Sequence, residues 1–291
     1  MEIKRKPAWL KINLPKGNGY KTVKNLTQGS NLHTICESGR CPNIAECWER
    51  ETATFMILGN ICTRACKFCD VKTGKPLPVD ANEPMRVANS IKKLKLAHAV
   101  ITSADRDDLD DKGAYIWAET IKKVKQLNSS LTLEVLIPDF DGISELIQQV
   151  IDTKPEVISH NLETVERLTP HIRSRAKYQL SLKVLKQIAQ RGIVAKSGLM
   201  LGLGETKEEI IQTLDDMRKV GVSVVTIGQY LQPSKKNIPV QAYITPAEFS
   251  LYKKIALEKG FTHVESAPFV RSSYFSERHI NLKLQSSHPE V

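Results

Sequence analysis

The sequence predicts an α/β fold: a partial (βα)6 TIM-type barrel with an N-terminal extension and a C-terminal tail. Three observations lead there. From residue 52 onward, short apolar runs rich in β-branched residues alternate with longer stretches whose apolar residues recur at helical spacing. That alternation is the pattern of strands and crossover helices around a parallel sheet. The 291 residues suffice for one large α/β unit with appendages, because barrels of this kind commonly run past about 200 residues. Six units are fewer than the eight that close the usual barrel, so this one is expected to stay open.

The elements follow in order. The first fifty residues lack a clean helix or strand period and contain Lys6-Pro7-Ala8-Trp9-Leu10-Lys11 and Leu14-Pro15-Lys16-Gly17, so 1–51 reads as an extension wrapped over the main unit. The barrel is assigned to 52–260, with strands at 54–58, 99–102, 132–137, 157–160, 195–201 and 224–228. Helices are expected at 84–94, 114–127, 143–152, 179–191, 207–219 and 246–259. A short further strand fits 263–265, and 261–291 forms the last strand and tail. No repeat or low-complexity segment interrupts the pattern.

In such a barrel, chemistry gathers on the loops at the carboxyl ends of the strands. Each of these loops is polar or Gly-rich: Ser103-Ala104-Asp105-Arg106-Asp107-Asp108 after the second strand, Pro138-Asp139-Phe140 after the third, and Asn161-Leu162-Glu163 after the fourth. Gly202-Leu203-Gly204-Glu205-Thr206 follows the fifth and reads as a loop that lets a ligand approach the backbone, since Lys207 replaces the third glycine of a dinucleotide fingerprint. The acidic run from Asp105 to Asp111 is either a hydrated surface turn or a divalent-cation site.

The formal charge of +10, from 42 Lys and Arg against 32 Asp and Glu, points to an acidic partner. Lys-rich pieces such as Lys92-Lys93-Leu94-Lys95 sit at expected helix ends, where solvated lysine is ordinary. No alternation of basic and aromatic residues appears, which favours an acidic protein over nucleic acid. No apolar run reaches about 18 residues, and residues 1–11 carry charge without an apolar core, so neither a membrane span nor a signal peptide is expected. A cytoplasmic location follows. All six Cys fall between Cys36 and Cys69, a clustering that suits metal ligation in a reducing compartment better than disulfides.

Cys62, Cys66 and Cys69 form a C-x3-C-x2-C triplet on the loop after the first strand. Three thiolates on a cubane of four irons leave one iron open to an outside ligand. A structural zinc site would want four ligands, and the only nearby histidines, His33 and His98, are distant in sequence. A redox pair of Cys66 with Cys69 is the other plain alternative. Cys36, Cys41 and Cys47 make a second set, C-x4-C-x5-C, which implies a second cluster; six thiolates on one cubane would leave two idle.

The triplet, with Phe68 just before its third Cys, resembles the fingerprint of radical S-adenosylmethionine (SAM) enzymes. Arg271-Ser272-Ser273-Tyr274 resembles the carboxy-terminal motif of the lipoyl synthases in that superfamily, and the second Cys set resembles their auxiliary cluster motif. The likeness extends almost end to end, through Glu134-Val135-Leu136-Ile137-Pro138-Asp139-Phe140, Lys196-Ser197-Gly198-Leu199-Met200 and Gly228-Gln229-Tyr230-Leu231. It implies two [4Fe-4S] clusters, SAM as cofactor, and insertion of sulfur at C6 and C8 of an octanoyl chain on a lysine of a carrier protein. Saturated carbon offers no acid or base handle, so a radical suits this task. The resemblance also implies that Cys62, Cys66 and Cys69 bind SAM's cluster, while Cys36, Cys41 and Cys47 hold a cluster consumed as sulfur donor. Its fourth ligand is a serine oxygen, by position Ser273 with Ser272 the alternative. A hard oxygen on iron should be easier to displace than a fourth thiolate. Ser103, Asn161, Glu163 and Lys196, at strand ends, are carried over with Phe68 as contacts to SAM.

Implied partners are octanoylated carrier domains of 2-oxoacid dehydrogenase E2 or glycine cleavage H protein, a low-potential donor such as ferredoxin or flavodoxin, and an iron-sulfur carrier. No nucleic acid or membrane partner is implied. The chain departs from the family at Leu180 and Ala242, where Arg is usual, and at Phe275 and Ser276. Two readings compete: another two-cluster radical enzyme such as a methylthiotransferase, which would bring an RNA-binding domain, and a zinc-loaded interaction module without catalysis.

Overall fold

A computed structural model describes residues 5–12 and 18–279. The Leu14-Pro15-Lys16-Gly17 stretch and the end of the tail segment, 280–291, lie outside the described residues. The main sheet has eight strands that neighbour one another in chain order. Strand β1, His33–Thr34, pairs antiparallel with β2, Thr54–Ile57. From β2 onward every pairing is parallel: β3 His98–Ser103, β4 Thr132–Leu136, β5 Val157–Ser159, β6 Val194–Leu201, β7 Val224–Gln229 and β8 His263–Ser266. β1 and β8 are the sheet's two edges. The six expected strands and six expected helices are all present, and the seventh parallel strand is β8.

Alternation along the strands sorts the residues by face. Phe55, Ile101, Val135, Ile158, Leu199 and Val225 turn outward and pack under the helices. The opposite face lines a lumen with Thr102, Leu136, Gly198, Met200 and Thr226 near the mouth. Lys196 and Glu134 lie deeper on that face. Two helices begin in full capping boxes, Lys207–Lys219 at Thr206 with Glu209 and Pro246–Glu258 at Thr245 with Glu248. In each, the hydroxyl and the carboxylate satisfy two backbone donors reciprocally.

The extension is more regular than its sequence suggests. It folds into helices Gly19–Gly29, Ile35–Ser38 and Ile44–Glu49 around Trp48, whose ring lies 5.0 Å from that of Tyr20. Only Tyr20, Val23 and Leu26 give the first of these helices an apolar side, too thin a stripe to register as a period.

The tail meets the mouth first. Gln229 N donates to Pro268 O at 3.2 Å, and Asn43 Nδ2 of the extension donates to Phe269 O at 2.7 Å. Gly228 permits this crossing: a Cβ there would lie 2.0 Å from Val270 O. Beyond Ser273 the chain follows the extension, with Tyr274 Oη donating to Glu46 Oε1 at 3.0 Å and Arg50 pairing Glu277 at 2.8 Å. Its described part reaches the first residues of β3 and β8, where His279 packs on His263 at 4.5 Å. The tail therefore crosses the rim and then closes the open side of the barrel. No helix among the described residues is long and apolar enough to cross a membrane.

Candidate active site

The loop after β2 carries Cys62, Cys66 and Cys69, and a buried arginine within it fixes its shape. Arg64 is clamped from two neighbouring loops. Its Nε and Nη2 donate to Asp107 Oδ2 and Oδ1, each at 2.8 Å, and its Nη1 and Nη2 donate to Asp139 Oδ2 and Oδ1 at 3.0 and 2.7 Å. Against the cost of burial, these carboxylates raise the Arg64 pKa, and Arg64 in turn holds the Asp139 carboxyl down to about 2 although burial opposes its charge. Such two-pronged pairing sets direction as well as distance. The other end is tied by Asn237 Nδ2 donating to Cys69 O at 2.8 Å and Lys67 N to Ile172 O at 2.8 Å. Cys62 Sγ accepts from the backbone N–H of Arg64 and of Asp105, both at 3.4 Å.

The acidic turn therefore has a different task from the two expected of it. Asp107 holds Arg64, and Asp108 pairs with Arg106 at 2.9 Å. Both carboxylates are committed to guanidinium groups, and Asp107 positions the thiol loop through Arg64, while Asp108 stays at the surface. In the Gly202 loop the Glu205 carboxylate accepts from the backbone N–H of Gly202 and Leu203, so these two donors are already satisfied within the loop.

The second thiol set is built in the extension. Cys36 lies on the short helix after β1, Cys41 in the following turn and Cys47 on Ile44–Glu49. The three thiols line a cavity of about 340 Å3 together with Ser273 of the tail, whereas Ser272 turns away and accepts from Asn161 Nδ2 at 2.6 Å. Burial pushes the Cys36, Cys47, Cys62 and Cys69 thiols up to about 12. Such thiols stay protonated and inert until a cationic metal group compensates the thiolate charge.

Both sets open onto one larger cavity of about 470 Å3 at the carboxyl ends of the strands. Cys62, Cys66 and Cys69 line one part of it and Cys36, Cys41 and Ser273 another. Phe68, Ser103, Asn161 and Glu163 line it as well. Ser103 Oγ and Asn161 Oδ1 are buried with no hydrogen-bond partner among the described residues. Gly198 keeps the space beside Asn161 clear, since a Cβ would stand 2.7 Å from Thr226 Oγ1 and 3.0 Å from Asn161 Oδ1. Unsatisfied polar atoms facing a cleared cavity next to three thiols fit a polar ligand held at a cluster. Glu163, at φ +68°, accepts from Asn161 Nδ2 at 3.0 Å, and burial raises its carboxyl pKa.

Lys196 is not brought to this cavity. Its ammonium lies fully buried on the lumen floor, bonded to Glu134 at 2.7 and 2.9 Å. Alternation would place it inward but does not give its depth. Two residues were missed from sequence, Arg64 and Arg271. The signal for Arg64 was a lone cation inside a Cys triplet in a chain with an Asp-rich turn. Arg271 lines both cavities, close enough to Cys41 and Glu163 for their negative charge to offset part of its burial, which lowers its pKa.

Sequence comparison agrees with this geometry. The profile of the Radical SAM superfamily matches residues 56–217, and that of the N-terminal domain of lipoyl synthase matches residues 1–41. A lipoyl synthase of Treponema denticola is 60% identical over 276 residues, 95% of each chain. The chain belongs to the lipoyl synthase family. A second lipoyl synthase, from Parabacteroides distasonis, is 58% identical over 95% of this chain and 98% of its own. The cofactors of this radical SAM family are SAM and [4Fe-4S] clusters. Among solved structures, methylornithine synthase superposes with a TM-score of 0.54 at 12% identity, over 81% of this chain and 82% of its own. SuiB of Streptococcus suis bound to its precursor peptide SuiA reaches 0.57 at 11% identity, over 77% of this chain and 52% of its own. At such identities these two share the fold alone.

Proposed function

We propose that this chain is a lipoyl synthase in which the two thiol sets divide the work across one shared cavity. That shared cavity is the observation that carries the reading. When bound, SAM at a reduced cluster supplies a radical able to take hydrogen from saturated carbon, and the second cluster supplies sulfur. Cys62, Cys66 and Cys69 hold the first, and the Arg64 clamp keeps their loop in place. Ser103, Asn161, Glu163 and Phe68 would surround the cofactor, with Asn161 Oδ1 accepting from its polar groups and Ser103 Oγ donating or accepting. Cys36, Cys41, Cys47 and Ser273 hold the second. In this reading 1–51 and 261–291 act as a pair that builds the sulfur source, while 52–260 is the radical barrel.

The substrate is an octanoyl chain on a carrier protein, for which we propose E2 or H-protein domains, with ferredoxin or flavodoxin as reductant and an iron-sulfur carrier for resupply. The net charge of +10 supports an acidic carrier, since complementary charge speeds encounter. Higher ionic strength should then raise KM for a carrier domain more than for an octanoyl-lysine peptide; equal effects would count against it. The reaction itself is tested by incubating the reconstituted protein with SAM, a reductant and that peptide. We expect 5′-deoxyadenosine with a singly thiolated peptide on the way to product. Deoxyadenosine without sulfur in the peptide would point to another substrate.

A further inference from the structure

The floor of the lumen holds buried charge that the site above does not use. Glu134 on β4 and Lys196 on β6 are both fully buried. The Lys196 ammonium has three protons to place and no acceptor capacity. Two contacts go to Glu134, at 2.7 and 2.9 Å, and the third is to His279 Nδ1 at 3.0 Å. Ser159 Oγ adds a donation to Glu134 Oε1 at 2.8 Å. His279 comes from the tail, not the barrel, and is 1% exposed. Without it, one proton of a buried ammonium would have lost its acceptor, a state that folded proteins avoid. Burial and the neighbouring Lys196 charge also push the His279 pKa down to about 4, so its ring is neutral and free to accept.

His263 and Glu265 stand beside His279 in an arrangement compact enough for a metal ion. The ammonium argues against one: with Nδ1 accepting from Lys196, the ring's proton lies on Nε2, which has no hydrogen-bond partner among the described residues and offers a metal no lone pair. The trio is better explained by what the tail does.

We propose that His279 is a positioning residue that docks on Lys196 and thereby holds Ser273 against Cys36, Cys41 and Cys47. The inference rests on Ser273 being the oxygen ligand of that set. The span between the two residues is short and fastened along its length. Tyr274, next to Ser273, donates to Glu46, next to Cys47. Phe275 takes φ +50°, and the guanidinium groups of Arg50 and Arg278 stack over its ring at 4.5 and 3.8 Å from the centre. Ser276 is buried. A shift at His279 therefore has little slack to absorb it before it reaches Ser273. The device makes the serine's position depend on the barrel core rather than on the extension alone.

The test compares wild type, Ser273→Ala, His279→Leu and His279→Asn, each reconstituted with both clusters. Asn places its amide oxygen near the position of the lost Nδ1 and can still accept from Lys196. Mössbauer spectra read the oxygen-ligated iron directly. His279→Leu should lose that component as Ser273→Ala does, and its sulfur insertion should fall about tenfold or more, the usual loss when a residue supporting a ligand is removed. SAM cleavage should stay within about twofold, well below that loss, and His279→Asn should restore spectrum and insertion together. A folded His279→Leu protein with the wild-type spectrum overturns the proposal and leaves the Ser273 assignment standing. A wild-type spectrum in Ser273→Ala removes that assignment, and the proposal with it. If circular dichroism shows that His279→Leu does not fold, His279→Phe, which fills the volume of the ring without an acceptor, is read by the same rule.

Discussion

The two thiol sets differ in how they are assembled. Cys62, Cys66 and Cys69 sit on one loop, and Arg64 locks that loop to two adjacent strand ends through Asp107 and Asp139. Cys36, Cys41 and Cys47 lie on short helices and a turn outside the barrel, and the proposed fourth ligand, Ser273, arrives from the far end of the chain. One site is complete once its loop forms, while the other exists only when extension and tail meet. The difference suits an initiator that persists through turnover and a donor that has to come apart.

The strongest way to break this division is to remove thiols. Cys62→Ala, Cys66→Ala or Cys69→Ala should abolish SAM cleavage. Cys36→Ala, Cys41→Ala or Cys47→Ala should still release 5′-deoxyadenosine but form no carbon–sulfur bond. Product analysis by mass spectrometry decides it, and identical behaviour of the two sets would refute the division.

A step smaller is the clamp. Arg64→Ala leaves Asp139, 1% exposed, without its counter-charge, and breaking a buried pair from one side costs about 3–5 kcal/mol. Urea unfolding of the cluster-free protein should show a loss of that order. A change under about 1 kcal/mol would mean that the pair behaves as an exposed one.

Acid should weaken both regions in a defined window. His160, below the clamp, bonds Ile137 O and Ser181 Oγ at 2.9 Å each, and burial lowers its pKa to about 4; His279, in the tail, is lowered to the same value. Unfolded histidine takes its proton near 6.5, so the unfolded state binds more protons as pH falls toward 4. Stability from these groups is complete above about pH 6.5 and is lost below it, about 2 kcal/mol for each at pH 5. Urea midpoints at pH 7 and 5 measure the sum. His279→Asn should flatten only the tail's share, and a pH-independent midpoint would contradict both assignments.

The smallest effect belongs to the surface ties of the tail. Arg50 and Glu277 are about two-fifths exposed, so Arg50→Ala should change stability by no more than about 1 kcal/mol. A larger loss would shift weight from the buried floor to the surface in holding the tail.

The barrel was legible because its strands and helices carry strong periods, and all six of each appear where the apolar spacing put them. β1 escaped because two residues, His33 and Thr34, have no period to detect. Of the site, Cys36, Cys41, Cys62, Cys66, Cys69, Ser103, Asn161, Glu163 and Phe68 converge on the shared cavity, with Cys47 in the smaller one beside it. Ser273 was preferred to Ser272 by its position in the motif, and the structure adds that Ser273 lines the cavity of the second thiol set while Ser272 accepts from Asn161. Lys196 misled because its place on a strand is readable, but strand alternation does not report height above the lumen floor. Arg64 and its carboxylates lie 43 and 75 residues apart in sequence, so their pairing is a property of the sheet order and not of any local pattern.

The meeting of the two ends also orders events during synthesis. Cys47 leaves the ribosome 226 residues (273 − 47) ahead of Ser273, which at about 5–20 residues per second is roughly ten to fifty seconds. Throughout that interval the nascent extension carries its three thiols without Ser273. On the proposed assignment, a cluster delivered then would be held by an incomplete set until Ser273 arrives, whereas Cys62, Cys66 and Cys69 emerge together.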